Sequence, residues 1–383
     1  MSAGPVSPPA TLGLLGGGQL GRMIALEARR MGYRAVVLDP SPDCPAAQVC
    51  DRHVRAPFKD AAAVEEFARA CDVVTLEWEL IPMETLESIA RLKPLFPAPP
   101  VLSFIQDRLR QREFLASHGL PQTAFAAASS REELRAAAKK VGLPAIAKKR
   151  REGYDGKGQW ALSAESDLDR DFIDGNPCVL EARVDFEKEI SVILARGREG
   201  EISFFPVAEN EHRDGILRVT RAPAPLPADL ERRAREIGAA VAEKLGHVGV
   251  LAVELFVAKT GELLVNEIAP RVHNSGHFSF GACATSQFEQ HLRAVCGLPL
   301  GDPRLLSPAV MVNLLGELWS GGEPDWSRVL RRPELRLHLY GKAKPAPGRK
   351  MGHLLALHEN LDQAGRIAVS ALGELAASRR KLI

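Results

Sequence analysis

Over the first hundred residues, short apolar runs alternate with segments of helical period. TLGLL (11–15) is an apolar run closed by Gly16–Gly18, and the 3.6-residue pattern from Gln19 to Met31 stops at Gly32. AVVLD (35–39) is a second run, ended by Pro40 and Pro42; Asp60 to Ala70 is helical in pattern, and DVVTLE (72–77) is a third run. Continuous apolar strands separated by amphipathic helices predict a parallel sheet covered on both faces. The proline-rich stretch Lys93–Pro100 predicts the first boundary.

Beyond it the spacing predicts a charged helix over 104–118, a helix from Ser130 to Val141, and strands at PAIAKK (144–149), WALS (160–163) and CVLEARV (178–184). That is a small α+β unit. From 188 onward the pattern is strand-rich: EISVILAR, EISFFPVAE and ILRVTRAP, then a helix over 228–245, then VGVLAVELFV (248–257) and GELLVNEIAP (261–270). No internal repeat is present. The expected division is a disordered lead (1–10), an α/β domain (11–103), a small α+β domain (104–186) and a larger strand-rich domain (187–383).

Composition narrows the class. Hydrophobic residues are 45% and charged residues 26%, as in an ordinary soluble protein, and the formal net charge of +2 argues against a nucleic-acid binder. Any anionic ligand must therefore be held by a local site. The six cysteines, at 44, 50, 71, 178, 283 and 296, include no CxxC pair and read as buried thiols in a reducing compartment. No apolar run approaches the roughly 18 residues of a membrane span, and MSAGPVSPPA lacks the features of a signal peptide. A cytoplasmic protein without membrane or nucleic-acid partners is expected.

Four segments could carry chemistry. Gly16-Gly17-Gly18-Gln19-Leu20-Gly21 fits G-x-G-x-x-G between a strand and a helix, with Asp39 ending the next strand. Such a turn can serve a dinucleotide, another phosphorylated ligand, or packing alone. Arg151 to Gln159 holds three glycines and Lys157: either a loop that folds over phosphates or an exposed hairpin turn, but not a Walker loop. Upstream, Lys148 and Arg150 share one face of a strand. Third, Glu254 and Glu267 lie in apolar strands on either side of the turn Lys259-Thr260-Gly261-Glu262. A hairpin centred between Thr260 and Gly261 pairs residues that sum to 521, so these two carboxylates would face each other ~4.5–5.5 Å apart. That spacing suits Mg²⁺ with room for phosphate oxygens; a metal-free acid/base pair and a shifted register are the alternatives. Arg271 follows closely with an anion-binding fork, while Pro270 and Gly276 argue against a zinc helix bearing His273 and His277. Fourth, Tyr340 to His353 is a basic Pro/Gly loop, either a phosphate cradle or a solvated surface. Glu77-Trp78-Glu79 ends the third strand, where open α/β sheets bind ligands.

Taken together and in order, GGGQLGRM (16–23), EWE (77–79), GYDGKGQW (153–160), HRDGILR (212–218), NEIAPRVHNSGH (266–277) and GRKMGH (348–353) resemble the ATP-grasp superfamily. Within it, the resemblance is to the N5-carboxyaminoimidazole ribonucleotide synthetase family and spans about residues 12–355. It implies an ATP-grasp fold with an N-terminal Rossmann-like preATP-grasp domain, a small lid domain and a larger C-terminal domain. It implies ATP and two Mg²⁺ ions, bicarbonate activated as carboxyphosphate, and carboxylation of 5-aminoimidazole ribonucleotide with release of ADP and phosphate, in purine biosynthesis. A homodimer, and coupling to the downstream mutase, are also implied. Carried over by position, Arg108, Lys148, Gly153, Tyr154, Asp155, Gly156, Lys157, Gly158, Gln159, Glu181, Ala182, Arg183, Val184, Glu189, His212, Asn266 and Glu267 would hold ATP. Glu254 and Glu267 would hold the metal, in agreement with the hairpin arithmetic. Gly18, Gln19, Leu20, Glu77, Asn274, Lys342, Arg349 and Lys350 would hold the ribonucleotide, and Asp155, Arg271, His273 and Lys342 would act in catalysis. The chain departs from the family pattern at Glu152, where a glycine is expected, and at Ala346, where an arginine is usual.

Overall fold

Strands β1 (Thr11–Leu15), β2 (Arg34–Leu38), β3 (Arg52–Val54), β4 (Val73–Leu76) and β5 (Leu95–Phe96) form an all-parallel sheet in the order β3-β2-β1-β4-β5. The computed structural model describes residues 4–151, 153, 157–173 and 176–377. The apolar runs are continuous because both faces of this sheet are covered. Leu12 and Leu14 pack with Met23, Ile24 and Ala28 of α1 (Gln19–Arg30). Leu15 and Val36 pack with Val64 and Phe67 of α2 (Ala61–Arg69) and Leu86 and Ile89 of α3 (Met83–Ala90).

Three expectations change here. The proline-rich stretch is not a linker: it carries β5, paired to β4, and Pro99 opens α4 (Pro99–Ile105), where a missing N–H costs nothing. The charged helix over 104–118 is two helices, α4 and α5 (Arg108–Ser117), because Asp107 leaves helical geometry and caps α5 by accepting the Leu109 N–H at 3.0 Å. The lead is tied down at Val6 rather than disordered throughout: Val6 donates its N–H to Cys296 O at 2.8 Å and accepts the Tyr33 hydroxyl at 2.7 Å.

The second sheet is antiparallel and small, with β6 (Phe125–Ala128), β7 (Ala145–Lys149), β8 (Gln159–Leu162) and β9 (Cys178–Ala182) in the order β6-β9-β7-β8. It is backed by α6 (Arg131–Val141), which Ser130 caps through the Glu133 N–H.

The third sheet holds β10 (Phe186–Arg196), β11 (Ile202–Phe204), β12 (Ala208–Arg213), β13 (Ile216–Ala222), β14 (Gly249–Ala258), β15 (Leu263–Ala269), β16 (Ala309–Leu315), β17 (Leu335–Leu339) and β18 (Lys350–Leu357). Its order is β15-β14-β10-β12-β13-β16-β18-β17, with β11 added to β10. Pro206 divides EISFFPVAE into β11 and β12. On one face, Leu251, Val253 and Leu255 of β14 pack on Ala234 and Val241 of α7 (Ala228–Leu245). The short α8 (Ser279–Ala282) leads to α9 (Gln287–Cys296), whose Phe288 and Leu292 take the other face at Val250 and Ala252. The same cluster includes Leu20 and Met23 of α1, so the first and third sheets share one core. The short α10 (Ser327–Leu330) precedes β17, and α11 (Leu361–Ala377) follows β18 and packs on β16 and β18. No described helix is long and apolar enough to cross a membrane. All six cysteines are free thiols.

Candidate active site

A cleft of about 550 Å³ opens between the four-stranded sheet and the face of β10, β12, β14 and β15. Part of the lining is apolar: Ile146, Phe186 and Phe256 border the cleft, and the two phenyl rings stack with centroids 4.6 Å apart. An aromatic wall of this kind suits a flat base. Neither phenylalanine was a sequence candidate. The available signal was alternation, because Phe256 lies two residues after Glu254 on the same face of β14.

The carboxylate pair is present. Glu254 and Glu267 are register partners in the β14–β15 hairpin, but by a different route from the arithmetic. Next to the turn the pairs are Val257↔Leu263, Phe256↔Leu264 and Leu255↔Val265, and Gly261 takes φ 82°, so the loop is one residue off the assumed centre. Asn266 is then an extra residue, and this bulge restores the 521 register at Glu254. Burial raises the Glu254 carboxyl to about 7; nearby His212 opposes this, while Glu267 and Glu189 add to it. Glu254 Oε1 is buried with no hydrogen-bond partner among the described residues, His273 Nδ1 standing off at 3.7 Å. A buried oxygen without a partner beside a second carboxylate fits a divalent cation. Among the described residues no cluster of three or more His, Cys, Asp or Glu could hold a metal alone. An ion here would complete its shell with water and substrate oxygens, which is the habit of Mg²⁺.

Lys148 of β7 reaches the same wall. Its ammonium bonds Glu181 at 2.7 Å and Asn266 Oδ1 at 3.3 Å. Burial and the charges of Arg108 and Arg112 pull the Lys148 pKa below its usual value against the attraction of Glu181. Burial alone would raise Glu181, but Lys148 and Arg112 hold it down at about 2. Glu189 and His212 bond each other on the same sheet face as Glu254; burial disfavours a charged His212, yet Glu189 and Glu254 outweigh it and raise its pKa. At the end of β9, Ala182 is committed to Ala124 and Thr123 and the Arg183 N–H to Pro144 O, and Glu181, Ala182, Arg183 and Val184 all line the cleft. Arg108, Gly153 and Gln159 line it too; Lys157 and Gly158 do not. Gly158 takes φ 72° and its carbonyl accepts the Lys149 N–H, closing the β7–β8 turn. Tyr154, Asp155 and Gly156, with Glu152, lie outside the described residues.

The expected ribonucleotide residues are less uniformly gathered. Gln19, Leu20, Asn274 and Lys350 line the cleft; Gly18, Glu77, Lys342 and Arg349 do not. Glu77 instead fills the glycine turn, accepting the Gly18 N–H at 2.7 Å and the Gly21 N–H at 3.3 Å, while Asp39 accepts the Gly17 N–H at 2.7 Å. Arg271 is already forked onto Glu79 at 2.5 and 2.7 Å, with Nη1 on Val272 O at 3.1 Å. An anion at Arg271 must therefore share it with Glu79, the member of EWE whose partner was not foreseen. His273 is held by Ser275 Oγ at 2.8 Å; burial, then Arg271 and Lys350, keep its pKa far below normal, so it is a neutral imidazole. Asn274 is buried in a reciprocal amide pair with Asn313 at 2.6 and 3.2 Å. Lys342 donates to Lys350 O at 2.7 Å and Arg349 to Lys344 O at 2.7 Å, both in the loop before β18. Ala346 sits in that loop, its carbonyl accepting the Arg349 N–H and crowding Gly316, where a Cβ would come within 2.0 Å.

Comparison with known proteins matches this arrangement piece by piece. Residues 10–106 match the ribonucleotide synthetase preATP-grasp domain, 113–288 the ATP-grasp domain and 309–366 the phosphoribosylaminoimidazole carboxylase C-terminal domain. The chain is 43% identical over 356 residues to N5-carboxyaminoimidazole ribonucleotide synthase of Brucella melitensis, covering 91% of this chain and 96% of that one. The chain belongs to the N5-carboxyaminoimidazole ribonucleotide synthase family. A crystal structure of an N5-carboxyaminoimidazole ribonucleotide synthetase with ADP superposes at a TM-score of 0.93, with 41% identity over 99% of this chain and 100% of that one. A further synthase of the family, from Aspergillus clavatus and solved with ADP and 5-aminoimidazole ribonucleotide, superposes at 0.88 with 29% identity over 97% of this chain and 99% of that one. The Gly16–Gly21 turn is not open to a dinucleotide. Here the reason is visible, because Glu77 and Asp39 already take the N–H groups a pyrophosphate would need.

Proposed function

We propose that the chain carboxylates 5-aminoimidazole ribonucleotide to N5-carboxyaminoimidazole ribonucleotide, using ATP and bicarbonate and releasing ADP and phosphate. Membership of a family of ATP-dependent ligases supports this. The observation that carries it is the convergence of Lys148, Glu254 and Glu267 on one cleft, which Phe186 and Phe256 also line. In the first step a bicarbonate oxygen attacks the γ-phosphorus and the bond to ADP breaks, giving carboxyphosphate. In the second, the exocyclic amine attacks the carboxyl carbon, phosphate leaves and the amine loses a proton.

The chain's task in the first step is charge neutralisation and alignment, since phosphoryl transfer needs little covalent help. Lys148 supplies a buried cation for the phosphates. Glu254 and Glu267 would hold Mg²⁺, two ions in the full reading, which when bound draws charge off the phosphoryl oxygens. Arg271 and His273, which line the same cleft, would orient bicarbonate. Asn274 and Lys350, with Lys342 and Arg349 of the loop before β18, would hold the ribonucleotide, and the glycine-rich segment after β7 would exclude water from labile carboxyphosphate. We further propose a cytoplasmic homodimer that passes its carbamate to the downstream mutase; six free thiols agree with a reducing compartment.

The test is ADP release from MgATP at controlled bicarbonate, with and without the ribonucleotide. Stimulation by the ribonucleotide, with labelled bicarbonate trapped in the product, is expected. Stimulation by glycinamide ribonucleotide and formate alone would move the chain to a different acyl-phosphate ligase.

A further inference from the structure

Arg112 was not a sequence candidate, yet it is the largest fully buried side chain, only 1% exposed. Its Nε and Nη2 each donate to a different oxygen of Glu181 at 2.8 Å. Nη1 donates to Val265 O and Nη2 to Asn266 O, both at 2.8 Å. Those carbonyls lie at the bulge, where the β14–β15 ladder shifts register. A bulge leaves backbone groups without their ladder partners, and a buried carbonyl must be satisfied by something else. Arg112 does this for two successive carbonyls, immediately before Glu267. The bonds close a ring: Arg112 to Glu181, Glu181 to Lys148, Lys148 to Asn266 Oδ1, and Asn266 O back to Arg112.

We infer that Arg112 is the positioning residue that fixes the metal-binding edge to the nucleotide-binding strand, holding the bulge that turns Glu267 toward Glu254 and holding Glu181 when Lys148 turns to a phosphate. The inference rests on the proposed metal and ATP sites. The ring joins α5, the small sheet through β7 and β9, and the large sheet through β15, so its geometry sets how phosphate and metal ligands face each other. Only a planar fork can chelate a carboxylate and reach two carbonyls at once; a lysine keeps the charge and loses that geometry.

The test compares wild type with Arg112→Lys and with Arg112→Gln, in which Glu181 keeps its pairing with Lys148, so that neither variant leaves a buried carboxylate unpaired. Mn²⁺ affinity is read by electron paramagnetic resonance in the presence of ADP, alongside the Mg²⁺ dependence of ADP release and the KM for the ribonucleotide. Expected are a tenfold or greater loss of Mn²⁺ affinity in both variants, a matching rise in the Mg²⁺ requirement of Arg112→Lys, and a ribonucleotide KM within twofold of wild type. Mn²⁺ affinity within twofold of wild type in either folded variant overturns the inference, whatever happens to kcat or thermal stability. A wild type that binds Mn²⁺ and ADP but shows no ribonucleotide-stimulated ADP release would instead sink the proposed carboxylation and leave the inference about Arg112 standing.

Discussion

Glu254 is a carboxylate that the folded chain alone gains nothing by keeping. It is buried, one oxygen lacks a hydrogen-bond partner, and Glu267 and Glu189 add like charge. Replacing it by the neutral isostere should therefore not destabilise the protein. Glu254→Gln is expected to raise the thermal midpoint of the metal-free protein, by the equivalent of roughly 1–3 kcal/mol, while ADP production falls about 100-fold or more. A lowered midpoint with activity kept would show that the residue serves the fold. Glu267→Gln should also abolish ADP production with the fold intact by circular dichroism; wild-type turnover there would remove the metal assignment. Lys342 differs in kind, because it lies outside the cleft lining and bonds Lys350 O. Lys342→Ala should raise the ribonucleotide KM or stop carboxylation with ATP affinity retained, and loss of ATP binding in a fluorescence titration would place it in the wrong pocket.

The turn from β1 into α1 shows how an element can be legible while its purpose is not. The glycine spacing announced a tight turn opening a helix, and that turn is there. Its partner is Glu77, fifty-nine residues away, and no local pattern could show that a carboxylate takes the Gly18 N–H. Gly18 is required by this close approach, since a Cβ there would lie 2.5 Å from Glu77 Oε1. Gly18→Ala should push Glu77 out and leave two N–H groups unpaired, costing on the order of 1–3 kcal/mol, measurable as a lower urea midpoint. An unchanged midpoint would mean Glu77 has another place to go. Elsewhere the limit of legibility is the same. β1, β2, β4, the helix 228–245 and the hairpin strands followed from hydrophobic period, whereas β3 and β5, too short to carry one, did not. The split at Asp107 was hidden because only two residues, Gln106 and Asp107, separate the end of α4 from the start of α5. The Glu254–Glu267 pairing came from counting, although the bulge at Asn266 was invisible to it. Phe186, Glu79 and Arg112 act through contacts between distant elements, so only the fold reveals them.

At the scale of the whole molecule, the first and third sheets are joined through a buried histidine whose protonation the structure forbids. His291 Nδ1 accepts the Val250 N–H at 3.0 Å, so the remaining ring proton must sit on Nε2, which pairs with Thr75 Oγ1 of β4 at 2.7 Å. Both nitrogens are used, and a second proton breaks the bond to β14. Burial puts His291 at about 3, and it likewise puts His247, which bonds Val250 O at 2.9 Å, at about 4 and His277 at about 3. In the unfolded chain these imidazoles titrate near 6.5. Their contribution is therefore complete above that pH and is lost as pH falls from about 6.5 toward 4 and 3, at up to ~1.4 kcal/mol per pH unit for each. Glu254 works against them, taking up a proton in the folded state between about 7 and 4.5. Glu181, held at about 2, adds acid sensitivity only in a later window, from about 4.5 down to 2. Burial lowers His273, His338 and His353 as well, while His212 is raised and opposes them, so the urea midpoint should decline well before the ordinary carboxylates titrate, with a net slope of several protons between pH 6 and 5. His291→Gln still offers Val250 an acceptor and cannot be protonated. It should flatten that slope by about one proton and lower the midpoint at pH 7.5 only modestly. A slope unchanged from wild type would show that acid enters the structure elsewhere, and that the junction of the two sheets does not set the lower limit of its stability.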